Sequence, residues 1–223
     1  MENQQTISPE EEKFTINKEN LTSFYKQELP SILKTVFLNP IEGIQQLFAN
    51  RESVSYKSTL LLMLSVVALY FVAPYIMVGS DLRSYLSFGI LLKFAVIVSL
   101  FMMVASALSF GIKSISGKPV FKSEMLTGAL MGIGLILLLV VLFLTKLFVG
   151  NLDVYDLMNP SSMMDHVGFM MVFVIYIFLF MTNVMQQSLK ASGTKDVLSW
   201  YLSPMAVLLA FYLTVKIAKG IFF

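Results

Sequence analysis

Residues 125–149 read MLTGALMGIGLILLLVVLFLTKLFV, and no charge interrupts them before Lys146. A bilayer core about 30 Å thick takes about 20 apolar residues as helix, and this run exceeds that. In water it could not cover its apolar sides, so it predicts a transmembrane helix. Four further runs of the same kind surround it: roughly Ser58 to Val78, Leu86 to Ile112, Val167 to Met185 and Val197 to Ile217. The fold class expected is all-α. It is a polytopic membrane helix bundle of five transmembrane helices, preceded by a short amphipathic cytoplasmic helix.

Composition agrees. Of 223 residues, 57% are hydrophobic and 13% charged, against about 45–50% and about 25% in soluble domains. The mean hydropathy of +0.76 excludes a soluble globule, whose surface needs polar cover. It also excludes disorder over most of the chain, which needs low hydrophobicity and high charge. Fourteen of the 30 charges fall in residues 1–57. Three segments follow: a disordered acidic arm at 1–20, amphipathic interfacial helices at 21–57, and the membrane domain at 58–223.

Orientation follows from lysine and arginine. Eleven basic residues lie in the N-terminal arm and in the loops after the second and fourth runs, against three on the other side. The N-terminus is therefore expected in the cytoplasm and the C-terminus outside. The opening Met1-Glu2-Asn3-Gln4-Gln5 has neither a basic stretch nor an early apolar run, so targeting is expected to fall to the first span. Glu2 also excludes myristoylation.

Within the arm, Leu21 begins an amphipathic pattern that Pro30 is expected to break. A better specified helix starts at Asn39. Asn39 can cap it, Pro40 suits the first helical position, and Glu42 stands where a capping-box acid reaches back. Ile41, Ile44, Leu47 and Phe48 then make one apolar face, expected to lie on a membrane surface or against the first span.

Few groups could carry chemistry. Zero cysteines remove disulfides, thiolate catalysis and zinc–cysteine sites. His166 is the single histidine, and Ser161 and Ser162 nearby lack a GxSxG setting. There is no HExxH, GxGxxG or P-loop, so no catalytic, metal or cofactor residue is assigned. Lys93 and Lys146 are the basic residues read as lying well within spans, and intramembrane charge marks ion or substrate routes. Both fall toward the outer leaflet, where a lysine stem can snorkel to headgroups or meet Asp153, Asp156 and Asp165. Gly128-x-x-x-Gly132 is the small-residue spacing that lets helices approach closely. Its expected counterpart on the second run is Ala107 and Gly111, with Ala105 and Ser109. Packing inside one monomer is favoured over dimerisation. Pro74 and Pro204 could bend their spans, and the methionine pairs read as flexible packing.

The arm, the Asn39-Pro40-Ile41-Glu42 segment ending in Leu47-Phe48, five spans with short loops, and the Ser116-Gly117-Lys118-Pro119-Val120-Phe121 turn together resemble the Yip-domain family, in its bacterial form. The likeness covers roughly residues 36–220 and lies in architecture. The DLxGP-like element of eukaryotic members has no counterpart ahead of the spans; Asp156-Leu157-Met158-Asn159-Pro160 lacks the glycine. The resemblance implies a non-enzymatic protein of a bacterial inner membrane, acting by membrane organisation or partner recruitment. Its partners would be the lipid bilayer and either a second copy or another membrane protein, with no nucleic acid, metal or cofactor. The alternative is a small transporter, or a channel or transporter subunit.

Overall fold

The computed structural model describes residues 18–49, 54–77, 83, 86–115, 117–148 and 160–222, the side chains of 160–163, 165 and 166 excepted. Five of its helices are long and apolar enough to cross a membrane. The chain is an integral membrane helix bundle. The spans are α4 (Tyr56–Met77), α5 (Phe88–Ser114), α6 (Phe121–Phe148), α7 (Pro160–Ala191) and α8 (Asp196–Phe222). Ahead of them run α1 (Lys18–Ser23), a π-helical turn (Phe24–Glu28), α2 (Leu29–Leu38) and α3 (Glu42–Ala49). Most of the acidic arm, residues 1–17, lies outside the described residues.

Pro30 does not break the arm. It sits in the first turn of α2, where its missing N–H costs least. The π turn ahead of it lets the Leu29 N–H reach the Phe24 carbonyl, so the helical path continues through the proline. α2 ends at Asn39, which joins two helices with its backbone. Its N–H donates to the Thr35 carbonyl at 3.1 Å, and its own carbonyl accepts from the Gly43 N–H at 3.0 Å. α3 folds back tightly enough that a Cβ on Gly43 would meet the Thr35 methyl at 2.8 Å.

α6 is the centre of the bundle. Of its membrane window, 67% is buried, against 22–28% for the other four spans. It packs on α4, α5 and α7, while α8 closes the outside against α5 and α7. Small residues make this possible. A Cβ on Gly128 would collide with the Met102 carbonyl oxygen and the Ser106 Oγ of α5, and one on Gly132 would meet the Met102 sulfur at 2.8 Å. Near mid-span the Tyr70 hydroxyl of α4 donates to the Leu135 carbonyl of α6 at 2.7 Å, so a buried polar group is satisfied without water.

The arm spans from α4 to α7. Tyr25 Oη and Ser65 Oγ are 2.8 Å apart, and the Ser58 hydroxyl donates to Glu28. On the other side the Phe37 and Phe180 rings stack at 6.2 Å, and Asn183 Nδ2 donates to the Pro40 carbonyl at 2.6 Å. Phe24, Ile32, Val36 and Ile44 are buried in the same apolar core as α6. Removing such side chains from water is worth about 1.5–3 kcal/mol each, which holds the arm on the bundle. By connectivity, one end of the bundle carries the arm, the start of α4, the end of α5, the start of α6, the end of α7 and the start of α8.

At the α7–α8 turn, Gly193 takes φ +83°, a left-handed conformation that a side chain would strain. There Thr194 N–H returns to the Leu189 carbonyl. At the far end Ser87 caps α5, its hydroxyl accepting from the Ile90 N–H at 3.4 Å.

Candidate functional site

The helices extend past the limits that hydropathy predicts, and this brings two charges inside. Lys113, read as a loop residue, is in the last turn of α5. Glu124, read as lying ahead of its span, is in the first turn of α6. Each is the sign that its helix end favours, cation at the carbonyl end and anion at the amide end. Lys113 Nζ lies 2.7 Å from Glu124 Oε2, with side chains 6% and 8% exposed.

A buried ion pair needs further hydrogen bonds to offset the loss of hydration, which costs several kcal/mol per ion. Here α5 and α7 supply them, and Thr127 of α6 supports Ser188. Lys113 Nζ also donates to Ser188 Oγ at 2.8 Å, and Ser109 Oγ donates to Glu124 Oε2 at 2.7 Å. Thr127 Oγ1 and Ser188 Oγ lie 2.8 Å apart. Helical spacing explains the convergence: Ser106, Ser109 and Lys113 share one face of α5, and Glu124 and Thr127 one face of α6. The pair thus ties three spans together at the arm end.

Above it lies a cavity of about 470 Å³. The end of α3 forms one wall through Leu47 and Phe48, and the Phe48 ring stands 5.6 Å from Lys113 Nζ. Tyr56 begins the next wall, with Lys122 Nζ held 4.6 Å from its ring centroid. Lys113, Glu124 and Ser188 form the floor, and the exposed Lys122 and Ser192 lie on the rim.

The residues singled out from sequence distribute as follows. Asn39, Pro40 and Glu42 are exposed at the α2–α3 turn. Ile44 is fully buried, and Phe48 is half-buried against the cavity. Ile41 does not join the expected apolar face; it is 60% exposed, because α3 packs on α7 and leaves Ile41 turned outward. Gly128 and Gly132 do meet α5, but not through Ala107 and Gly111. Those two are exposed, and a Cβ on Gly111 would touch nothing within 4 Å. The surface that receives the glycines is Met102 and Ser106, since the helical period places 102, 106, 109 and 113 on one side of α5 and 103, 107 and 111 on another.

Lys93 and Lys146 lie at the far end, away from the cavity. Lys93 is half-buried with Nζ 5.6 Å from the Phe222 ring centroid. Lys146 Nζ donates to the Met77 carbonyl at 2.7 Å, covering the negative end of α4. Asp153 and Asp156 lie outside the described residues, as do the side chains of Ser161, Ser162, Asp165 and His166. The Lys113–Glu124 pair escaped the sequence reading. The signal available was periodic: serines four and seven residues ahead of Lys113, and a threonine three residues after Glu124.

No protein-family model, no curated protein and no solved structure matches this chain.

Proposed function

We propose that this chain is a non-enzymatic membrane protein that organises its bilayer or recruits a partner through the arm-end face. In this reading the arm lies in the cytoplasm of a bacterial cell, the spans cross its inner membrane, and the C-terminus lies outside. The observation that carries it is the interior of α6. From Ala129 to Val141 every buried side chain of the central helix is apolar, whereas a transporter builds its site from polar groups near the midplane. Among the described residues, the buried polar side chains other than Thr145 and Thr214 lie toward the end that carries the arm, within reach of a partner. The order of arm, Asn39-Pro40 turn, short helix and five spans supports a Yip-like assignment within this reading. The basic asymmetry of the sequence supports the orientation.

The test is reconstitution. Proteoliposomes holding the full chain should dissipate imposed proton and chloride gradients no faster than empty vesicles of the same lipid. Faster dissipation that Lys93→Leu abolishes would replace this reading with a transporter.

A further inference from the structure

We infer that the arm-end cavity binds an anionic phosphate monoester, with Lys122 as the residue that engages the phosphate. This goes beyond the function proposed above and does not depend on it.

Size comes first. About 470 Å³ falls within the roughly 300–1,000 Å³ of small-molecule sites, which combine apolar walls with a few placed polar groups. The walls here are Leu47, Phe48, Val54 and Leu126, and the polar groups gather on the floor and rim.

Charge then selects the ligand. Among the described residues, the charged groups facing the cavity are Lys113 from α5 and Lys122 and Glu124 from α6; the described parts of α3, α4 and α7 that line it bring none. Glu124 Oε2 already takes hydrogen bonds from Lys113 and Ser109, so the carboxylate and the Lys113 ammonium offset each other. What remains is the Lys122 cation on the rim, together with the positive end of the 28-residue helix α6. Both attract an anion. The Ser123 hydroxyl lies on the same wall and can donate to a phosphate oxygen, while Ser192 Oγ on the rim donates to the Leu189 carbonyl at 2.7 Å. An amine would meet the net positive charge of the described lining residues, so that charge selects against it.

Position leaves two sources for the same chemistry. The cavity opens where the ends of four spans meet, and an acidic phospholipid could place its phosphate there with its chains along the apolar walls. A soluble phosphate monoester could enter from the aqueous side.

The test uses the full chain in dodecyl maltoside micelles, with the melting temperature as readout. The probes are dioleoyl phosphatidic acid in mixed micelles, dioleoyl phosphatidylcholine as the neutral-headgroup control, and sn-glycerol 3-phosphate in solution. Lys122 is exposed, so Lys122→Gln should fold. The expected result is a rise of at least about 2 °C with an anionic phosphate, absent in Lys122→Gln, kept in Lys122→Arg, and kept in Lys118→Gln, which changes an exposed lysine off the cavity. A rise with phosphatidic acid alone identifies a headgroup site; a rise with glycerol phosphate as well identifies a soluble ester. The inference is overturned by no rise with either anion, by an equal rise with phosphatidylcholine, by Lys122→Gln responding like the unaltered chain, or by Lys118→Gln losing the response equally.

Discussion

Lys113 and Glu124 stand eleven positions apart, on opposite sides of the α5–α6 turn, and meet at 2.7 Å in the interior of the bundle. Ser188 of α7 completes the contact, so one charge pair fixes the relative heights of three spans. Such a pair is specific in a way that apolar packing is not: a helix sliding by one turn would strand a charge where neither water nor a partner can reach it.

Breaking that pair should cost far more than replacing it. Lys113→Met or Glu124→Leu alone leaves one buried charge uncompensated and should lower stability by about 3–5 kcal/mol. The double change Lys113→Met with Glu124→Leu should recover much of that loss. Thermal unfolding of the purified variants in detergent measures both. A double variant as unstable as the sum of the singles would mean that the pair is not a coupled unit.

Gly128 and Gly111 are both glycines in spans and should respond oppositely to alanine. At Gly128 the added methyl meets the Met102 carbonyl and Ser106, and overpacking of this kind costs about 1–3 kcal/mol. At Gly111 nothing lies within 4 Å, so alanine should be neutral or stabilise the helix by up to about 1 kcal/mol. The same unfolding assay separates them, and equal loss at both sites would contradict the α5–α6 contact described.

The contrast also bears on what a sequence discloses. The five spans were legible because each is a run of about 20 apolar residues, a signal that depends on the bilayer and on no neighbour. Gly128 and Gly132 were legible as a close-approach motif for the same local reason. Which residues receive them was not, because Ser106 is only one residue from Ala107, and only the rotation of α5 about its axis distinguishes the face of Met102 and Ser106 from that of Ala107 and Gly111. The candidate site was hidden by a boundary. Hydropathy ends a span where the first polar residues appear, yet α5 runs two residues past Ile112 and α6 starts four residues ahead of Met125, and those added residues hold Lys113 and Glu124. Pro30 misled in a similar way: a proline in the first turn of a helix looks, in sequence, like one that interrupts it.

The far-end lysines should prove to be anchors. Lys146 donates to the end of α4, an interaction of about 0.3–1 kcal/mol, so Lys146→Met should lower stability modestly. Lys93→Leu should alter neither insertion nor function, so the variant should complement a deletion of the gene. A Lys93→Leu protein that folds normally yet behaves like the deletion would show that the charge serves a route.

The docking of the arm can be tested with little interference, because the chain has no cysteine of its own. Cysteines at Tyr25 and Ser65, or at Phe37 and Phe180, should be joined efficiently by a short bis-thiol reagent in native membranes. A cysteine at the exposed Gln46 paired with Ser65 should not. Equal yields for all three pairs would mean that the arm does not rest across α4 and α7.

The central claim is a bundle of five crossings with the arm in the cytoplasm. The most direct measurement fuses a reporter that is active only in the cytoplasm to each end of the chain in turn. Ahead of Met1 it should be bright, and after Phe223 it should be dark. A bright reporter at both ends would require an even number of crossings and would contradict the five-span account.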